Sequence, residues 1–436
     1  MNLLLVLAMA FLLYISIYLS RYDLTHPAVF FSGTWFLSSI FYMFGAAKWQ
    51  LICTAQTCFF IIFGNVLVIV TMVFGSSIYS NARAQKVVFL PKASKLSKKM
   101  ILVIIIFYVY ATVAIFDKSD ELIMAIGGSL NFSKRFYYAR IAEINGHSYG
   151  RFAINLMRIN VALGITVAYK TFALYFCGQK KIAYKYILII AYAIIFSLYR
   201  GSRTDCLYLV GAYVFLFIFF LYRSINKKRI EVFFKGMRYM LRGVAFIVCI
   251  GGLSGVIFNR TESSNVVMHI LGYIGGPLAG FNFYTMHREL FKSPYFGAYT
   301  FDSIYRMLGS LKFLNVKQEL INPYLPYGGT ATFSINVYSM YFRYLADFGF
   351  IGLIVLCIFF GFFYGVLYNF CKTCKSSKKM QIIVPVYASF MYPLLMSFFE
   401  DRFYSYIINE IFVIIYILII SFILNTKLAI IKKPQN

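Results

Sequence analysis

Arginines and carboxylates recur in this chain at spacings suited to handling an anionic phosphate at the mouth of a membrane helix. In residues 334–353, SINVYSMYFRYLADFGFIGL, the residues Asn336, Arg343 and Asp347 fall at i, i+7 and i+11 and share one helix face. No charge follows until Lys372, so Arg343 and Asp347 stand where a polar loop enters a membrane-crossing run. Opposite charges placed there must face protein or water. An interfacial ion pair anchoring the helix end meets that need, and so does a site for an anionic lipid-linked substrate. Arg151, Asn155 and Arg158 form a second polar stripe at i, i+4 and i+7. Arg158 lies about 9 Å below its helix mouth at a rise of about 1.5 Å per residue, which implies a helix–helix salt bridge or a wet cavity. A third group, Tyr199-Arg200-Gly201-Ser202-Arg203-Thr204-Asp205, reads as a tight hairpin with two arginines and an acid. Its bland reading is a turn with snorkelling arginines. Last, Glu400-Asp401-Arg402 sets two carboxylates side by side, where one raises the pKa of the other and suits a general base.

Metal and nucleotide chemistry have no comparable support. His147 and His287 belong to outward loops, His269 lies near the membrane and His26 on the cytoplasmic side, each read more readily as a surface or capping residue. No HExxH, EF-hand loop or Walker A pattern occurs, so neither a metal nor another cofactor is expected. Energy then comes from the substrate itself or an ion gradient. The eight cysteines fall outside both long polar loops and predict no disulfide framework; the lone CxxC at Cys371 and Cys374 predicts no role.

The elements that must position these groups are membrane helices. The chain is 61% hydrophobic and 13% charged, against about 45–50% apolar and about 25% charged in soluble domains. Apolar runs at 2–19, 28–46, 55–74, 101–116, 152–177, 182–199, 206–222, 243–258, 348–370, 382–399 and 404–424 predict an all-α polytopic protein with about eleven crossings. The first run has no preceding Lys or Arg and no small-residue cleavage site, which predicts a retained helix rather than a signal peptide. Pro385 and Pro393 predict a kink in the tenth run. Most of the 42 Lys and Arg occupy short loops on one side, predicting that side and the C-terminus as cytoplasmic and the N-terminus as outside. A net charge of +27 therefore reflects topology in part and does not call for nucleic acid. Two polar segments, 117–150 and 259–344, face outward, the larger with surface helices expected at 280–291 and 301–314.

The outward side is arginine-rich, with Arg135, Arg140, Arg151, Arg200, Arg203, Arg260, Arg288, Arg306, Arg343 and Arg402, whereas the cytoplasmic loops favour lysine. A guanidinium is planar, always charged and binds phosphate oxygens as a fork. That difference points to a phosphate ligand.

The run Asn336-Val337-Tyr338, then Phe342-Arg343-Tyr344-Leu345-Ala346-Asp347-Phe348-Gly349 and Gly352, resembles the NVYT…fR.yy.DfG..G signature of bacterial oligosaccharide repeat-unit polymerases, the Wzy-type O-antigen and capsule polymerases. Gly201-Ser202-Arg203-Thr204 is similar to their GSR segment, and Phe296-Gly297 with Thr300-Phe301 fits their loop; Ser339 stands where Thr is usual. The resemblance covers the chain in outline and about three short segments in sequence. It implies a GT-C-like glycosyltransferase of the bacterial inner membrane. Such an enzyme moves a growing glycan from one undecaprenyl diphosphate carrier to the non-reducing end of a second lipid-linked unit, and can work with a chain-length-regulating co-polymerase. On that reading Arg203, Arg343 and Arg158, then Arg200, Arg151 and Arg402, take the diphosphate. Glu400, Asp401 and Asp347 are the base candidates, with Asp347 alternatively orienting Arg343. Asn336, Tyr338, Arg288 and His287 are glycan contacts. The rivals are an O-antigen ligase, whose loop histidine Met286-His287-Arg288-Glu289-Leu290 resembles only loosely, and a flippase for the same lipid-linked unit.

Overall fold

The computed structural model describes residues 1–49, 51–78, 95–200, 204–224, 229–257, 266–291, 293, 295–313, 325–326, 334–335, 337–374 and 376–430. Among these the chain is helical, apart from a two-residue antiparallel pairing of Leu325–Pro326 with Ser334–Ile335. The helices are α1 (Asn2–Leu19), α2 (Pro27–Trp49), α3 (Ala55–Ser77), α4 (Lys98–Ala125), α5 (Phe132–Ile144), α6 (Gly150–Phe176), α7 (Lys180–Leu198) and α8 (Thr204–Ser224). They continue as α9 (Arg229–Ile257), α10 (Val266–Met286), α11 (Asp302–Ser310), α12 (Met340–Thr373), α13 (Ser377–Ser389), α14 (Met391–Leu395) and α15 (Ile407–Ile430). Among the described residues nine are long and apolar enough to cross a membrane: α1 to α4, α6 to α8, α12 and residues 407–424 of α15. This is a multi-pass membrane protein.

The nine differ from the predicted eleven at two places. Of the run at 243–258, residues 243–257 form the second half of α9, whose first half carries Glu231, Lys235, Arg238 and Arg242. The run at 382–399 is broken between α13 and α14. Pro393 has no N–H to donate to the Ser389 carbonyl four residues back, and at the break the Phe390 carbonyl accepts from the Tyr364 hydroxyl at 2.7 Å.

Helix α10 falls within the segment predicted as an outward loop, yet it packs inside the bundle. Leu278, Ala279 and Phe281 are buried. The Ser38 hydroxyl donates to the Ile274 carbonyl at 2.8 Å, and the Asn282 side chain accepts from the Thr54 amide at 2.9 Å. A side chain at Gly275 would collide with the backbone of Phe41 and Tyr42. The missing side chain at Gly275 is what lets it approach α2 so closely.

Helices α3 and α12 run side by side through the same device. A Cβ at Gly361 would sit 2.5 Å from the Val68 carbonyl, and one at Gly365 2.3 Å from that of Met72. Lipid tails supply no hydrophobic drive between helices, so close backbone packing of this kind carries the association. Helix α12 is not continuous. Gly349 has φ 64° and ψ −157°, so the first turns, 340–348, form a separate segment set at an angle to the long apolar one.

Candidate functional site

Helices α6, α8, α12 and α15 all begin at one end of the bundle, where the predicted arginines and carboxylates gather. Arg343, in the first turn of α12, is 3% exposed. Its guanidinium donates to the Tyr299 carbonyl and to Glu400 Oε1. The other Glu400 oxygen pairs with Arg402 Nη2 at 2.6 Å, and the Arg402 guanidinium lies 4.3 Å over the Tyr406 ring. Burial pushes the Glu400 carboxyl upward, but Arg402 and Arg343 outweigh it and hold its pKa below the usual glutamate value. Both oxygens of Glu400 are therefore committed to arginines.

Asp401 does different work. Its Oδ1 accepts from the amides of Phe403 at 3.0 Å and Tyr404 at 3.2 Å, and from the Tyr344 hydroxyl at 3.3 Å. Its Oδ2 accepts from the Ser405 amide at 3.2 Å. It caps the turn that leads into α15, where orphan N–H groups need an acceptor. Burial raises its pKa to about 6, against the opposing pull of Arg343 and those amides.

The sequence places Asp347 beside Arg343, with an ion pair as the simplest expectation. The structure gives each a different partner. Asp347 accepts from the Ser293 hydroxyl at 2.5 Å and the amides of Thr300 at 2.6 Å and Tyr299 at 3.3 Å, pinning the loop before α11 onto α12. Thr300 returns a hydrogen bond to the Arg343 carbonyl at 3.2 Å. The one-turn spacing was legible; the loop that separates the two charges was not.

A second group lies on α5, α6, α8 and α15 and on the turn after α7. Arg158 Nε donates to Asn409 Oδ1 at 2.8 Å and Nη1 to Asn155 Oδ1 at 3.0 Å, and its guanidinium lies 4.5 Å over the Phe412 ring. These partners are neutral, so they fix the cation without cancelling it. Arg200 donates from Nε to Glu143 Oε1 at 2.9 Å, and Glu143 also pairs with Arg140. Burial lowers the Arg200 pKa, but Glu143 and Asp205 outweigh it and hold the group charged. Burial likewise raises Glu143, and Arg200 and Arg140 bring it below the usual range. Arg158, Arg200, Asp205, Tyr208 and Asn409 line one small cleft.

Tyr406 joins the two groups. It lies within electrostatic reach of Arg200, Arg306 and Arg402. Arg306 on α11 is itself held by both oxygens of Asp302, at 2.8 and 2.9 Å, and α11 docks on the turn after Asp401 through a Ser303 amide to Ser405 carbonyl bond of 3.1 Å.

The remaining predicted residues stand apart. Arg151 is exposed and reaches the Ser310 carbonyl at 3.4 Å, at the C-terminal end of α11. Arg288 is exposed and lies 5.0 Å over Phe60; His287 packs on Phe283 at 4.5 Å, with Glu289 3.6 Å away. Tyr338, expected to meet glycan, is a core residue, 3% exposed between Phe291 and Phe342. Arg203, Asn336 and Arg260 lie outside the described residues. Glu143, Tyr406 and Asn409 were not foreseen, because each gains its place from a partner on another helix. Among the described residues no cluster of three His, Cys, Asp or Glu could hold a metal ion. Comparison with protein-family models, curated proteins and solved structures finds no match to this chain.

Proposed function

We propose that the chain is a GT-C-like membrane glycosyltransferase that polymerises undecaprenyl-diphosphate-linked oligosaccharide units into a surface polysaccharide. It would act at the outer face of a bacterial cytoplasmic membrane, with its C-terminus in the cytoplasm. The observation that carries this reading is Arg158: a guanidinium held in place by neutral amides, opening with Arg200 into a cleft near one end of a membrane bundle. A departing diphosphate develops negative charge, and fixed cations set before the reaction stabilise it without reorganising. Arg343, Arg402 and Arg306 form a neighbouring cationic wall held by Glu400 and Asp302. Two lipid-held substrates meeting at one mouth also gain from enforced proximity.

The carboxylates named from sequence take positioning roles on this reading. Glu400 holds two arginines, Asp401 caps a turn and Asp347 pins a loop. The test is the electrophoretic glycan profile of a deletion strain complemented with variants. Deletion should leave single repeat units on the cell surface, and Arg158→Ala should reproduce that profile at normal protein level. Full-length polymer from Arg158→Ala would refute the phosphate assignment. Loss of surface units altogether would indicate a flippase, and bare lipid A core with accumulated long polymer a ligase.

A further inference from the structure

The geometry points to Asp205 as the group that accepts the proton of the incoming hydroxyl, an inference that rests on the transferase reading and deepens it. Transfer to a hydroxyl calls for a base within hydrogen-bond reach of it. Glu400, Asp401 and Asp347 are each committed to arginines or backbone amides. Asp205 is not committed in that way. It stands in the first turn of α8 and lines the same cleft as Arg158 and Arg200. Its Oδ2 is buried and has no hydrogen-bond partner among the described residues. A buried carboxylate oxygen left unpaired carries a desolvation penalty, which a substrate hydroxyl donating into the cleft would relieve.

The groups that face it can be named from every element around the cleft. Arg200 follows α7, Glu143 lies on α5 and Arg158 on α6, and all three act on it electrostatically. Asn409 on α15 is neutral and already engaged with Arg158. Tyr208, one turn along α8, turns its hydroxyl away to Glu410 of α15, at 2.5 Å. A diphosphate that takes over the two guanidinium groups leaves Asp205 as the carboxylate beside the reacting sugar.

The step balances without another reactant. The acceptor hydroxyl oxygen bonds to the anomeric carbon of the donor glycan. The bond from that carbon to the diphosphate oxygen breaks, and its electron pair leaves with the diphosphate between Arg158 and Arg200. The hydroxyl proton passes to Asp205 Oδ2, and the neutral acid returns it to water.

The test uses the full chain in proteoliposomes, supplied with lipid-linked repeat units extracted from the deletion strain. Polymer formation is followed across pH for wild type, Asp205→Asn and Asp205→Glu, beside retention of undecaprenyl diphosphate. Asp205→Asn should lose about 100- to 10,000-fold in transfer while keeping diphosphate binding within about twofold. The wild-type rate should climb with pH as the carboxylate ionises; Asp205→Asn should lack that limb, and Asp205→Glu should keep it at a reduced rate. Three results overturn the assignment: wild-type rates in Asp205→Asn, a rising limb that persists in Asp205→Asn, or a loss of diphosphate binding that matches the loss of rate. Wild-type protein that transfers nothing would instead sink the transferase reading itself.

Discussion

Glu400 and Asp401 are adjacent, both buried and oppositely tuned. The difference lies in what their oxygens touch. Glu400 meets two guanidinium groups, so its charged form is favoured; Asp401 meets backbone amides and a tyrosine, which do not outweigh burial. Their effects on stability therefore run in opposite directions with pH. The Glu400 contribution is present above its ordinary value of 4.5 and is lost as pH falls through its lower folded value. Asp401 holds its proton more tightly folded than unfolded, from an ordinary 3.8 to about 6. Its contribution is full below 3.8 and declines as pH rises to about 6, by about 3 kcal/mol at about 1.36 kcal/mol per pH unit. Melting of the detergent-solubilised protein should show that decline between pH 4 and 6, and Asp401→Asn should flatten it. An unchanged slope in Asp401→Asn would show that another group titrates there. The sequence displayed the two neighbouring acids and suggested that one would have a raised pKa. It could not show which, because Arg343 and Tyr299 come from distant parts of the chain.

At the scale of the element, α12 places the site by being broken. Gly349 adopts φ 64° and ψ −157°, a conformation that a Cβ disfavours, and no neighbouring atom lies within 4 Å of where that Cβ would stand. The penalty for Gly349→Ala is thus conformational rather than steric, of order 1–3 kcal/mol. The substituted chain relieves it by straightening toward a continuous helix, which swings Arg343 and Asp347 off Glu400 and the loop before α11. We expect Gly349→Ala and Gly349→Asn alike to lower both thermal stability and polymer length in the complementation assay, because φ 64° with ψ −157° is open essentially to glycine alone. Wild-type stability and polymer length in both variants would separate the kink from the site. The Asp-Phe-Gly run is visible in the sequence, but Asn336, Arg343 and Asp347 at helical spacing before an apolar run predict one continuous helix. Only the backbone angle shows that the glycine ends one segment and starts another. For α10 the sequence predicts a surface helix over 280–291, whereas the helix runs Val266–Met286 and packs inside the bundle, since Gly-Gly-Pro reads as loop until a close-packed neighbour gives those residues a purpose.

Across the whole molecule, the two ends of the bundle carry different cations in different states. At one end arginines are ordered by carboxylates, amides and rings. At the other, Lys372 pairs with Asp23 at 3.3 Å, the Leu96 amide donates to the Tyr186 hydroxyl at 2.9 Å, and Arg223 donates to the Cys371 carbonyl at 2.8 Å. Around this knit edge lie the lysines that begin α4 and α7 and end α12. Loop lysines near helix ends set orientation during insertion, whereas the ordered arginines in the cleft serve, on the proposed function, an anionic ligand. The asymmetry thus predicts which end faces out. In a cysteine-depleted chain, Ser310→Cys at the arginine end should react with a membrane-impermeant maleimide on intact cells. Lys378→Cys at the lysine end should react only after permeabilisation. Labelling of Lys378→Cys on intact cells would invert the protein and put the cleft in the cytoplasm. Single lipid-linked units would then not reach the cleft after export, and the polymerase reading would fail on geometry alone, whatever the arginine variants did.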